Sequence, residues 1–303
     1  MMKCTIWNWA LFVAASLALT ASARAADRAT VNRRTGLYEL PMTDLRKAAE
    51  RGDRAELARV VARLGPARMA KALQDPDRRT VLAALEGAAL LDSGILLLEN
   101  ISPLLASTDE GVRARAVGAA AALLTANDAA GFADWEVAGE TTQATCQALA
   151  LLAANEAEPL PTRLLAVQGI ADAPEMCATA RKAAPLLASR EPEIRRAAVV
   201  GLLPSSVETL VAAARDRDPG VAAAAGARLC EQRGKKQPLP AAFPLRQLAL
   251  AQGAPPEDVI AMLPCLAASA DPADRKAIED LQSSGTAAVR DAINRLQDKN
   301  GSH

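Results

Sequence analysis

The sequence predicts an all-α chain, a right-handed α-solenoid of stacked helical hairpins, and three observations point there. Aromatic residues make up only 2% of the 303 positions while hydrophobic residues make up 50%. A core of Ala, Leu and Val suits closely packed helices with small side chains. The strand signal, alternation of β-branched and aromatic residues with period two, is nearly absent. The chain also repeats itself. "PLLASTDEGVRARAVGAA", from Pro103 to Ala120, returns as "PLLASREPEIRRAAVVGLL" from Pro185 to Leu203.

Residues 1–25 are expected to be a secretory signal peptide. Lys3 precedes an uncharged stretch from Cys4 to Ala23, and Ala23-Arg24-Ala25 fits a small-residue cleavage site. An uncleaved anchor is the alternative, since the apolar stretch is almost long enough to span a bilayer. Removing Lys3 and Arg24 takes the 35 basic residues to 33, against 35 acidic ones. No later stretch is apolar enough for a membrane span. A near-neutral chain without a basic block offers no electrostatic case for nucleic acid.

Residues 26–42 are expected to form a loose leader. Residues 43–65 read as a polar capping helix pair around a Gly52-Asp53 turn, because a solenoid end needs a cap. From 66 to 297 the repeats follow. Pro103, Pro185 and Pro264 each stand inside an apolar helical stretch, 82 and 79 residues apart. Each spacing is about twice a period of about 40 residues, the range of two-helix repeats. A further unit is expected in each gap: "TTQATCQALALLAANEAEPLPTRLLAVQGI" fills the first and "VETLVAAARDRDPGVAAAAGARLC" the second. "ARMAKALQDPDRRTVLAALEGAALL" adds one upstream, for five or six units. In each, an apolar helix of about three turns leads to a short polar turn and an Ala-rich second helix. The turns carry Asp75-Pro76, Asp109-Glu110, Glu158-Pro159, Glu191-Pro192, Asp218-Pro219 and Asp271-Pro272. Asp caps the free N–H groups of the next helix, and Pro is pre-organised for its first turn.

The second helices "DEGVRARAVGAA" and "EPEIRRAAVVGLL" resemble the HEAT-repeat family, in which an acidic turn precedes Val or Ile, then Arg, then Ala. The proline in the first helix belongs to the same pattern; armadillo-like solenoids are the near alternative. The Arg position is held by Arg79, Arg113, Arg163, Arg195 and Arg275, and Ala222 replaces it in one unit. The resemblance implies that these arginines, with turn acids such as Asp109 and Asp218, form a stacking ladder between repeats. Residues 126–140 and 233–253 break the rhythm as irregular insertions, and 298–303 are expected to be a disordered tail.

Catalytic patterns are missing from the sequence. The only His is His303, which leaves out Ser-His-Asp and Cys-His arrangements and His-based metal sites. There is no glycine-rich phosphate loop. No cofactor, metal or catalytic residue is expected. After position 25 four cysteines remain, Cys146, Cys177, Cys230 and Cys265, with no C-x-x-C pair. They are either bridged or small buried apolar residues. If bridged, the repeat frame favours Cys146–Cys177 and Cys230–Cys265. It puts Cys146 and Cys177 on neighbouring first helices, Cys230 on a second helix and Cys265 on the first helix after it. Phe132, Asp134, Trp135 and Glu136 lie together in "GFADWEVAGE". The rings are either anchors for a partner or a cover over a mismatch between repeats.

These readings lead to an exported periplasmic or extracellular scaffold without enzymatic activity. Its expected partner is another envelope protein or a polypeptide segment. Two other classes stay open: a self-associating structural envelope protein, and a lyase-type enzyme, since some HEAT-like families act as lyases or glycosylases.

Overall fold

A computed structural model describes residues 41–91, 93–129, 139–202, 206–234 and 243–301. The described residues are all helical or loop, with no strand among them. The chain divides into two compact units, Met1–Asp92 and Ser93–His303.

In the first unit, helix α1 (41–50) ends at a turn where Gly52 takes φ +65°. The side chain of Asp53 accepts the Glu56 N–H and starts α2 (Arg54–Leu73). Gly65 breaks α2 with φ 67° and ψ 174°, and Pro66 opens a new first turn, where its missing N–H is no loss. Asp77 caps α3 (Arg78–Ala88) by accepting the Arg79 N–H. Leu57, Val61, Met69 and Leu85 are buried between α2 and α3.

In the second unit we call alternate helices along the chain first-row and second-row. The first-row elements are α4 (Leu98–Ile101) with 3₁₀ turns on each side, α6 (Gly139–Ala154), α8 (Ala184–Leu187), α10 (Val207–Ala213), α12 (Leu245–Ala249) and α14 (Pro272–Ser284). The second row is α5 (Glu110–Ala129), α7 (Leu160–Ala171), α9 (Pro192–Gly201), α11 (Pro219–Gly234), α13 (Pro256–Ala267) and α15 (Ala287–Gly301). Each second-row helix packs on the next: α5 on α7, α7 on α9, α9 on α11, α11 on α13 and α13 on α15.

Small residues make this close stacking possible. A Cβ added at Gly169 of α7 would lie 2.5 Å from the Ala121 Cβ of α5. One added at Gly201 of α9 would lie 2.5 Å from the Ala171 Cβ of α7. Ala121 and Ala171 thus form the close seams between these helices.

Several expected boundaries shift. Two of the three repeat prolines interrupt first-row helices, while Pro264 lies within the twelve-residue α13. Pro103 sits in a 3₁₀ turn, Ser102–Ala106, and Pro185 in the four-residue α8. Proline lacks the N–H and crowds the carbonyl four residues back. The expected insertion at 233–253 contains helix α12, which fills a first-row place. That moves α13 into the second row and α14 into the first, one helix out of phase with the sequence frame. The insertion expected at 126–140 is helical up to Ala129 and again from Gly139, and the last helix runs on to Gly301.

Candidate binding site: the arginine ladder and the groove beside it

Three of the five repeat arginines reach from a second-row helix to the turn that opens the next one. Arg195 is the most complete case. Its Nε and one terminal nitrogen hold both oxygens of Asp216 at 2.7 and 2.8 Å. The other terminal nitrogen donates to the Ser189 and Arg190 carbonyls at 2.9 and 3.0 Å. The fork of a guanidinium matches a carboxylate in this way and an ammonium does not. The side chain is only 7% exposed. Hydrogen bonding from Arg195 holds the Asp216 carboxyl below the usual range. Arg163 makes the corresponding step to a hydroxyl, donating to Ser189 Oγ at 2.9 Å and to the Ala153 carbonyl at 3.0 Å.

Arg113 makes the step to Glu158. Its Nε lies 2.9 Å from Glu158 Oε1, yet the pair is not aligned as a hydrogen bond. A terminal nitrogen of Arg113 also donates to the Ser107 carbonyl at 2.6 Å. Glu158 Oε2 is buried with no hydrogen-bond partner.

Arg79 and Arg275 do not take part. Both are exposed, and neither side chain makes a hydrogen bond or ion pair among the described residues. For Arg275 the cause is the phase shift, since α14 is a first-row helix. Other arginines stand in. Arg46 of α1 pairs with Asp77 at 2.6 Å, and Arg246 of α12 pairs with Asp271 and Asp274 at 3.3 and 3.4 Å. Hydrogen bonding from Arg46 lowers the Asp77 pKa. Asp109 and Asp218 cap helices: Asp109 accepts from Val112 N, and Asp218 from Gly220 N and Val221 N.

Further charged contacts escaped the repeat frame because they skip a helix or bind main chain. Arg196 of α9 reaches past Gly220 of α11 to Asp258 and Glu257 of α13, at 2.9 and 3.0 Å. Burial pushes the Asp258 carboxyl up, against the pull of Arg196. Arg181 donates to the Ala171 and Gly201 carbonyls and so joins the ends of α7 and α9. Arg228 donates to the Val200 carbonyl.

Cys146 is bonded to Cys177, and Cys230 to Cys265, with Cα atoms 5.4 and 5.8 Å apart. The first bridge ties α6 to the turn segment before α8, and the second joins the second-row neighbours α11 and α13. Cys177 lies in a turn segment rather than on a helix, and Cys265 lies on a second-row helix. Asp128 holds that turn by accepting the Glu175 and Met176 N–H groups at 3.0 and 2.8 Å. A turn can bring its Cα atoms closer than helix axes 8–10 Å apart allow.

A groove of about 500 Å³ opens between the 3₁₀ turn Ser102–Ala106 and the C-terminal half of α6. Leu105, Ala148, Leu151 and Leu152 line it, and Arg113 and Glu158 are the charged residues in its wall. Leu151 stands at the lip, 73% exposed. Among the described residues there is no cluster of three or more His, Cys, Asp or Glu able to hold a metal. No described helix is long and apolar enough to cross a membrane. Phe132, Asp134, Trp135 and Glu136 lie outside the described residues.

No family model and no curated protein matches the chain. Among solved structures it is similar to the crystal structure of an engineered protein, at 18% identity, with 77% of this chain and 95% of that one covered. The TM-score is 0.40, too low to establish a shared fold. The HEAT-repeat resemblance therefore stands on the helix sequences alone.

Proposed function

We propose that this protein is an exported HEAT-like α-solenoid without enzymatic activity, a scaffold that holds another polypeptide along its second-row helices. The observation that carries the reading is the unbroken stacking of α5, α7, α9, α11 and α13. Stacked second helices offer a long surface with many weak contacts, which suits a partner polypeptide. Arg115, Leu165, Gln168, Val200 and Glu231 are exposed on successive members of that row. The surface mixes both charge signs with aliphatic side chains, and single exposed apolar residues of this kind make modest anchors. The N-terminal signal-like segment and two intramolecular disulfides both fit an oxidising compartment outside the cytoplasm.

Affinity capture from a cell-envelope fraction tests this, using the wild-type chain beside a Leu165→Glu/Val200→Glu variant. A specific polypeptide retained by the wild type and lost with the variant is expected. Equal retention by both, or none by either, argues against the second-row surface.

A further inference from the structure

The ladder contains one incomplete step, and that step is where the groove lies. At Arg195–Asp216 both carboxylate oxygens are taken by the guanidinium, and Asp216 Oδ1 also accepts the Asp218 N–H. At Arg46–Asp77 both oxygens are likewise engaged, by Arg46, Arg79 N and Thr80. At Arg113–Glu158 the cation is held by an ion pair and a backbone carbonyl, while Glu158 Oε2 has no donor. The Glu158 side chain is only 9% exposed, so water does little to compensate. Buried acceptors are seldom left in this state. A donor supplied from outside would complete the step.

The groove also says what should carry that donor. Its walls from Leu105, Ala148, Leu151 and Leu152 suit a run of methylenes. The vacant acceptor is anionic, its Arg113 partner is already bound twice, and the exposed Glu110 follows the groove's Thr108 by two residues. The chemistry that meets both demands is an unbranched alkyl chain ending in a cation. That is a lysine or arginine side chain, whose stem lies on apolar surface while its head seeks an anion.

We propose that the groove between the Ser102–Ala106 turn and α6 receives a Lys or Arg side chain of a partner polypeptide, its cationic head hydrogen-bonded to Glu158 Oε2. Rotation about the last torsion of Glu158, a broad one, turns Oε2 toward the entering head. Neighbouring aliphatic residues of the same segment rest on Leu151. The inference rests on the scaffold reading and adds the partner's chemistry and its point of entry.

The test is a random linear peptide library displayed on phage and selected on the full disulfide-bonded chain. Enriched peptides are then synthesised and their affinities measured on wild type, Glu158→Gln, Leu151→Ser and Leu165→Glu/Val200→Glu. Enrichment of Lys or Arg beside an aliphatic residue is expected. Loss of a hydrogen bond to a charged group should weaken such peptides about tenfold or more on Glu158→Gln. Leu151→Ser, at an exposed position that does not endanger folding, removes the apolar rest without adding a charge and should weaken them as well. Leu165→Glu/Val200→Glu should leave them unchanged. Peptides that bind wild type, Glu158→Gln and Leu151→Ser alike overturn the groove. If those peptides fail on Leu165→Glu/Val200→Glu instead, the scaffold reading survives without it. Enrichment of purely apolar or acidic peptides, or of none, also overturns the proposal.

Discussion

Truncating Arg195 should damage the protein far more than truncating Arg79, although both occupy the same place in the repeat pattern. Arg195→Ala removes four hydrogen bonds, two to Asp216 and two to backbone carbonyls. It leaves the Asp216 carboxylate, whose side chain is 15% exposed, without its cation. Breaking a buried ion pair from one side costs about 3–5 kcal/mol, because the remaining charge stays desolvated. Arg79→Ala removes an exposed side chain without a partner among the described residues. A surface change of that kind stays within about 0.5 kcal/mol. Arg195→Lys should fall between the two, since an ammonium keeps the charge and loses the fork. Urea denaturation followed by helix circular dichroism reads the difference as a shift in midpoint at unchanged slope. Arg195→Ala and Arg79→Ala with midpoints that agree within error would refute a structural ladder through Arg195.

Four other outcomes follow from the packing, the acid pairs and the disulfides. Gly169→Ala should destabilise by about 1–3 kcal/mol, because its new Cβ would meet Ala121 at 2.5 Å, whereas Gly139→Ala, with nothing within 4 Å, should not; thermal melts compare them. Asp216→Asn should cost about 2 kcal/mol at neutral pH. The lowered Asp216 pKa gives stability that is present above the ordinary Asp value of 3.8 and lost as pH falls through the folded value, so the cost should shrink in acid. Asp258 has the opposite sign: its raised pKa gives stability that is present below 3.8 and lost as pH rises through the folded value. Asp258→Asn should therefore be neutral or stabilising near pH 7, and a loss like that of Asp216→Asn would contradict the assignment. Thiol titration of the denatured, unreduced chain should find Cys4 alone among the 5 cysteines, and none once residues 1–25 are absent. Any thiol from Cys146, Cys177, Cys230 or Cys265 would count against the bridges.

The sequence made the helical class legible because the turn acids and the Ala-rich second helices recur at a readable period. The HEAT-repeat resemblance also singled out Arg113, Arg163 and Arg195, which follow their turn acids Asp109, Glu158 and Glu191 by four, five and four residues. Arg275 misled because "DPADRKAI" looks like a second helix, while α12 inside the irregular 233–253 stretch had already used up a place in the rows. A five-residue helix is too short for a periodicity signal to register. The groove was invisible for another reason. It arises where Pro103 shortens a first-row element to a 3₁₀ turn, and a cavity left by a shortened helix has no residue pattern of its own. The contacts of Arg181, and that of Arg228 with Val200, go to backbone carbonyls, which leave no trace in side-chain identity.

Site-specific photocrosslinking in cells tests the scaffold reading most directly. A photoreactive residue replaces Leu165 or Val200 on the second-row surface, and Lys276 or Glu279 on the exposed side of first-row α14 as a comparison. Covalent adducts to one polypeptide from Leu165 and Val200, and none from Lys276 and Glu279, are the expected result. Adducts from all four positions alike, or from none, would contradict a partner held along the second-row helices.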